Sequence, residues 1–130
     1  MVLDLSSLVS ALSSLERALT RSQANTKDEE LRDAVIQRFE YSFELCWKML
    51  KRKLAIDALV PTQIDTMSFK ELIREACQRG LISEPEDWFE YRSQRNITAH
   101  TYNRAKAESV YLTARDFLPK AKKLLQLLQK

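Results

Sequence analysis

Hydrophobic residues recur at intervals of three and four along most of the chain, which is the spacing that places side chains on one face of an α-helix. A longer run without glycine or proline extends from Asp28 to about Asp57 and predicts a second helix of roughly eight turns. We expect this helix, the longest, to be the spine of the fold. The first predicted helix has apolar positions at Leu5, Leu8, Val9, Leu12, Leu15 and Leu19.

Helix starts are indicated by capping boxes, in which a Ser or Thr and a Glu three residues later bond to each other's free backbone donors. They predict the beginnings of the second, third and fourth helices. Gly80, the only glycine in the chain, predicts the end of the third helix, where a residue with positive φ is favoured. The three pairs are Thr26 with Glu29, Ser68 with Glu71, and Ser83 with Glu86.

Prolines divide the rest of the chain. We expect the main break at Val60, Pro61 and the polar stretch through Thr66, because proline disfavours helix in the residue before it. The fourth helix should begin at about Glu84, with Pro85 in its first turn, where a missing N–H costs little.

The last helix is expected to be capped by Asn103 and to be kinked or distorted at Pro119. We find no alternation of period two long enough for a strand. The pattern therefore predicts an all-α fold, a five-helix, mostly antiparallel up-and-down bundle, with residues 1–130 forming one domain.

Composition agrees with helices and narrows the class of protein. One glycine and three prolines leave few turn residues for β-hairpins, and 45% hydrophobic with 30% charged residues is typical of a folded globule. The net charge of +3, from 21 basic and 18 acidic side chains, neither demands nor excludes RNA as a partner. The sequence shows neither a signal peptide nor a membrane-spanning run, so we expect a cytoplasmic protein without membrane contact.

The candidate chemistry is concentrated at Arg95, His100 and Tyr102. His100 is the only histidine, so a general acid or base near neutral pH is most economically placed there. On a continuous helix Arg95 and His100 would lie about 140° apart, but a helix end between them would let His100 turn toward Arg95. A guanidinium that binds a phosphodiester and an imidazole that transfers a proton suit RNA cleavage through the 2′-hydroxyl, which needs no metal.

The spacing alone also fits a purely structural interpretation, which the residues by themselves favour. In it, His100 is a capping or surface residue between two helices, and Tyr102 is an ordinary packing residue. Arg95 then forms a surface ion pair with Glu90 or Asp87.

Neighbouring residues leave further alternatives. Asn96 could orient a phosphate or a ribose, or it could cap the helix end. The basic run of Lys48, Lys51, Arg52 and Lys53 could guide an RNA backbone, although a solvated outer face is the favoured interpretation.

Glu40 and Glu44 have a spacing that could bind a metal, yet ion pairs with Lys48 or Arg38 are favoured and we expect no metal site and no cofactor. Five aromatic residues are expected in the core rather than on a base-stacking platform: Phe39, Phe43, Trp47, Trp88 and Phe89.

A family resemblance favours the catalytic interpretation of Arg95, His100 and Tyr102 over the structural one. The segment Arg92–Tyr102 resembles the R-x4-H-x-Y signature of HEPN domains. The segment Phe39–Lys48 is similar to the long-helix signature of the HEPN branch called nucleotidyltransferase substrate-binding proteins, and Ile73–Ala76 with Gly80–Ile82 resembles its third helix. The matches cover most of residues 35–105 in the order and spacing of that family.

The resemblance implies a helical bundle that forms a homodimer and is encoded beside a minimal nucleotidyltransferase, its partner in a toxin–antitoxin pair. Several members of the family are metal-independent ribonucleases. It further implies that Arg95 holds the scissile phosphate, that His100 donates or accepts a proton, and that the partner transfers AMP to Tyr102. The active cleft would lie at the dimer interface. A non-catalytic subunit that binds nucleotide or substrate for the partner, or a structural adaptor, remains the alternative.

Overall fold

The computed structural model describes residues 3–130, and all of the regular structure in this range is helical. The all-α prediction is confirmed. The five predicted helices are present, and a short additional helix occupies the predicted break. The elements are α1 Ser6–Ala24, α2 Glu29–Asp57, α3 Pro61–Asp65, α4 Phe69–Gln78, α5 Pro85–Asn96, a 3₁₀ turn Thr98–His100, and α6 Arg104–Leu128.

The short helix α3 was missed because five residues are too few to show a helical period. Its first residue is Pro61, whose fixed φ suits the start of a helix. The side chain of Ile64 in α3 is buried and attaches the helix to the core. The break predicted between the second and third helices is therefore an ordered turn of helix.

Only one of the three predicted capping boxes forms. Ser68 and Glu71 bond reciprocally, with Glu71 N donating to Ser68 Oγ at 3.2 Å and Ser68 N donating to Glu71 Oε1 at 3.1 Å. At α2 the cap is Asp28, which accepts from two backbone amides, so the prediction of Thr26 is wrong by two residues. At α5 the cap position is Glu84 and no side chain bonds there, although Pro85 occupies the first helical position as predicted.

The core is centred on an aromatic cluster around Phe117 of α6. The ring of Phe117 meets Phe39 at 5.2 Å, Tyr91 at 5.3 Å and Trp88 at 5.9 Å between centroids, all at steep angles that favour edge-to-face contact. The long helix α2 contacts α1, α3, α4, α5 and α6, so it is the spine that the sequence predicts.

Several apolar positions do not follow the predicted pattern. Val9 is exposed, although its spacing placed it on a buried face, and Leu112 of α6 is exposed as well. Trp47 and Phe89 are only half-buried, in contrast to the three other aromatic residues assigned to the core.

Helix α6 continues through Pro119 as one element. Within residues 3–130 no helix combines the length and apolar character that crossing a membrane requires.

Candidate functional site

The candidate site begins where α5 ends. The helix stops at Asn96, between Arg95 and His100, as required for His100 to leave the helical path. A 3₁₀ turn follows because threonine hydroxyls take local backbone acceptors: Thr98 Oγ1 donates to Arg95 O at 2.8 Å, and Thr101 Oγ1 donates to Thr98 O at 3.0 Å. The chain therefore changes direction at the centre of the motif.

The far side of this turn is fixed by the start of α6. Asn103 Oδ1 accepts a hydrogen bond from Lys106 N at 3.1 Å, which confirms Asn103 as the helix cap. The backbone N–H of Asn103 also donates to His100 O at 3.1 Å. The segment that carries His100 and Tyr102 is thus bonded at both ends, and we call residues 96–103 the junction.

Arg95 points toward α2. Its Nε lies 2.7 Å from Glu44 Oε1, and its Nη2 lies 3.8 Å from Glu40 Oε1. The Nε–H group is not aligned with Glu44 and has no hydrogen-bond acceptor within the described chain, so the contact is an ion pair rather than a hydrogen bond. About a third of the Arg95 side chain, 34%, remains exposed.

The local partners proposed for Arg95 from sequence are engaged elsewhere. Glu90 accepts a hydrogen bond from Gln94 at 3.1 Å, and Asp87 pairs with Lys120 at 2.9 Å. The prediction of a surface pair with Glu90 or Asp87 is therefore wrong. Sequence spacing suggested partners on the same helix, whereas the true partners come from the neighbouring helix α2.

Glu44 connects Arg95 to an aromatic side chain. While Oε1 faces Arg95, Oε2 accepts a hydrogen bond from Trp47 Nε1 at 3.1 Å. The predicted pairing of Glu40 and Glu44 with Lys48 or Arg38 is wrong, because both carboxylates face Arg95 and Arg38 instead donates to the backbone oxygen of Ser14. One carboxylate thus fixes both an indole and a guanidinium.

His100 and Tyr102 lie together on the surface. Their ring centroids are 6.2 Å apart at an interplanar angle of 77°, and Tyr102 is 87% exposed. The interpretation of Tyr102 as an ordinary packing residue is therefore wrong for the single chain. Across residues 3–130 no hydrogen bond or ion pair joins His100 to Arg95, so within one chain the motif is split into the His100–Tyr102 pair and the Arg95 group.

A cleft of about 290 Å³ opens beside Arg95, between α2, α4 and α5. We call it the Trp47 cleft. Trp47 was expected in the core, whereas Phe69 carries no periodic signal because it is the first residue of its helix. Polar, charged and aromatic side chains in its wall include Glu44, Trp47, Lys51, Phe69, Arg92, Arg95 and Asn96.

Asn96 is exposed, and its side chain makes no hydrogen bond to the part of the chain that the structure describes. The capping role considered for it is not observed, since the helix end is closed by backbone bonds. Among residues 3–130 no three His, Cys, Asp or Glu side chains form a group that could hold a metal ion.

Comparisons with known proteins identify the family of this chain. The family model described as nucleotidyltransferase substrate binding protein like matches residues 3–130. A Haemophilus influenzae relative named "Probable ribonuclease HepT" is 38% identical, over 98% of this chain and 92% of the relative.

Two solved structures have similar folds. One is a Haemophilus influenzae protein with the fold of a substrate binding domain of a nucleotidyltransferase. It has a TM-score of 0.92 and 36% identity, covering 98% of this chain and all of that one. The other, from Thermus thermophilus, has a TM-score of 0.68 and 30% identity, covering 89% of this chain and 99% of that one. The chain therefore belongs to the nucleotidyltransferase substrate-binding branch of the HEPN superfamily.

Proposed function

We propose that this protein is a metal-independent endoribonuclease of the HEPN type and the toxin of a pair with a minimal nucleotidyltransferase. The observation that carries the proposal is the end of α5 at Asn96, which leaves both the Arg95 guanidinium and the His100 imidazole accessible to a ligand. The name of the ribonuclease relative, 38% identical over 98% of the chain, supports the same reaction class.

The proposed reaction uses the RNA's own 2′-hydroxyl. Its oxygen attacks the adjacent phosphorus, the bond from phosphorus to the 5′-oxygen breaks, and the products are a 2′,3′-cyclic phosphate and a 5′-hydroxyl. His100 accepts the proton of the 2′-hydroxyl or donates one to the leaving oxygen. Arg95 binds the non-bridging oxygens and stabilises the charge that grows on them.

Two copies of the chain serve this reaction better than one. Cleavage needs a base for the nucleophile and an acid for the leaving group, and each chain supplies a single histidine. We therefore propose a homodimer in which two motifs face one cleft. Such an arrangement also allows Arg95 of one protomer to act with His100 of its partner, since the two side chains do not bond within one chain.

Tyr102 is the proposed point of control. Its side chain is 87% exposed, so its hydroxyl is accessible to a partner enzyme, and its ring lies 6.2 Å from His100. In the proposed transfer the tyrosyl oxygen attacks the α-phosphorus of ATP, pyrophosphate leaves, and the hydroxyl proton is released. The attached AMP would fill the space beside His100 and place a negative charge where the RNA phosphate must bind.

The test of catalysis is His100→Ala in the purified full chain, with Gln126→Ala, an exposed change on α6, as control. A general acid or base contributes about 10²- to 10⁴-fold, so cleavage of a labelled RNA and inhibition of growth should fall by that amount while the oligomeric state is unchanged. Addition of EDTA should leave the wild-type rate unaltered. Undiminished cleavage by His100→Ala would refute the assignment.

The test of control is coexpression with the nucleotidyltransferase followed by mass measurement of the intact chain. The wild type should gain one or more AMP units, and Tyr102→Phe should gain none. Tyr41→Phe, which changes another exposed tyrosine, should be modified like the wild type. AMP that persists on Tyr102→Phe would place the acceptor elsewhere.

A second candidate function is a non-catalytic subunit that presents nucleotide or substrate to the nucleotidyltransferase. It is favoured by the matched family description and by the similar fold of a nucleotidyltransferase substrate binding domain. If the purified chain cuts no RNA, and His100→Ala alters only nucleotide binding by the complex, this second function is correct.

A further inference from the structure

The Trp47 cleft has an aromatic wall that is already formed in the single chain. Trp47 of α2 and Phe69 of α4 meet at 6.4 Å between ring centroids with an interplanar angle of 87°. Both rings are half-buried, and the Trp47 indole is held in place by its hydrogen bond to Glu44. Both rings therefore line the cleft without first having to leave the core.

The charge around this wall is predominantly positive. Three cationic side chains line the cleft: Lys51, Arg92 and Arg95. Two carboxylates face them, Glu44 in the wall and Glu40 at 3.8 Å from Arg95, so the cations are in excess. The Arg92 guanidinium lies over the Phe69 ring at 4.7 Å from its centroid, in cation–π contact. Positive charge beside exposed aromatic surface is the combination by which proteins bind single-stranded nucleic acid.

Asn96 supplies a polar group at the same cleft. Its amide carries both a donor and an acceptor, and neither is used by the described chain. Such an amide can bond to the edge of a nucleobase in a way that a lysine or an arginine alone cannot. The next residue toward the amino terminus is Arg95, so base and phosphate recognition would be adjacent.

We propose that the Trp47 cleft is a nucleobase-binding subsite, which takes one base of an RNA substrate while its phosphate lies at Arg95. The volume of about 290 Å³ is near the lower end of the roughly 300–1,000 Å³ of small-molecule sites, which suits a single nucleoside unit. The identity of the ligand as RNA rests on the proposed function. The preference for an aromatic base carrying a phosphate rests on the cleft itself.

The site can be tested by titrating the full chain with UMP and with AMP while recording tryptophan fluorescence, with ribose 5-phosphate as the ligand that lacks a base. Trp88 is buried at 3% exposure, so a change on binding should come from Trp47. We expect both nucleotides to quench emission to saturation, and Trp47→Phe to remove the response. Equal affinity for ribose 5-phosphate, or no saturation by either nucleotide, would overturn the subsite.

Matched variants separate the cleft from its surroundings. Phe69→Leu should raise the Kd for UMP at least about fivefold, because the Phe69 ring supports the Trp47 indole and the Arg92 guanidinium on which a base would stack. Such stacking contributes about 1–3 kcal/mol per base. Phe89→Leu is the control, since Phe89 is also half-buried but lines the neighbouring pocket, under Lys70 and Arg74, rather than the Trp47 cleft. Asn96→Ala should weaken UMP and AMP unequally. If Phe69→Leu and Phe89→Leu bind alike, the subsite is wrong.

Cleavage kinetics distinguish this proposal from the proposed function. If the chain cuts RNA, Phe69→Leu should raise KM by a similar factor and leave kcat unchanged, whereas His100→Ala should lower kcat. Cleavage with an unchanged KM in Phe69→Leu would overturn the subsite and leave the ribonuclease intact. Nucleotide quenching in a chain that cuts no RNA would support the subsite and refute the ribonuclease.

Discussion

The core around Phe117 and the junction of residues 96–103 are held together by different kinds of interaction. In the core, three aromatic rings from α2 and α5 lie within 5.2–5.9 Å of Phe117 on α6, and all four rings are almost completely buried. In the junction the hydrogen bonds are local: two threonine hydroxyls donate to backbone oxygens, and the Asn103 side chain accepts from a backbone N–H. His100 and Tyr102 face solvent.

The residues that stabilise the fold are therefore different from the residues that can react. The free energy of the core comes from apolar burial, which a change of one ring disrupts. The junction contributes little burial, so its two ring side chains can be changed without unfolding the protein.

Phe117→Ala should break the core. Removal of a fully buried phenylalanine costs about 3–5 kcal/mol, so the free energy of unfolding measured by urea denaturation should fall by that amount or the chain should fail to fold. Leu112→Ala, on the same helix but 53% exposed, should change stability by less than about 0.5 kcal/mol. Equal losses would show that α6 contributes uniformly along its length.

Tyr91 should make the core sensitive to alkaline pH. Burial, followed by the charge of Asp87, raises the pKa of Tyr91 to about 12 from its ordinary value near 10. The neutral phenol is therefore favoured in the folded state, and the stability it gives is complete below pH 10 and is lost as the pH rises toward 12. In Tyr91→Phe the free energy of unfolding should decline less over this interval, whereas Tyr41→Phe should follow the wild type.

Asn103→Ala should weaken the junction by a moderate amount. Loss of the bond from Lys106 N to Asn103 Oδ1 costs about 1 kcal/mol, as for other helix caps. Asn103→Asp, which retains the acceptor, should remain near the wild type. Thermal unfolding of the three proteins at one pH would measure the difference. An alanine variant as stable as the wild type would mean that the junction is held by its backbone bonds alone.

Tyr102→Phe should have the smallest effect on folding. Its hydroxyl makes no hydrogen bond within residues 3–130, and the side chain is 87% exposed, so the free energy of unfolding should stay within about 0.5 kcal/mol of the wild type. The same limit applies to His100→Ala. Urea denaturation of both variants is the measurement, and a loss above about 1 kcal/mol in either would abolish the contrast between core and junction.

Much of the fold could be predicted from the sequence because its signals are local. Periodicity predicted all five long helices, and Ser68, Gly80 and Asn103 correctly indicated where helices begin or end. Prediction failed where two local signals competed. Asp28 and Thr26 are both good caps, and only the path of the chain into α2 decides that Asp28 is used.

The candidate site could be predicted only in part. The sequence left two possibilities open between Arg95 and His100, a continuous helix and a helix end, and the structure has the helix end. The ion pair of Arg95 with Glu44 could not be predicted, since it joins residues 51 positions apart on two helices. The Trp47 cleft likewise depends on how three helices pack. The homodimer, the partner and the roles of the site residues remain predictions.

The 3₁₀ turn affects how the spacing of Arg95 and His100 can be recognised from sequence. A 3₁₀ helix rotates about 120° and rises about 2.0 Å per residue, against about 100° and 1.5 Å in an α-helix. The interval between Arg95 and His100 crosses from one geometry to the other, so its length in residues is a poor measure of the angle between the side chains. Chains with one residue more or fewer in this interval could reach the same arrangement, and a search that fixes the spacing would overlook them.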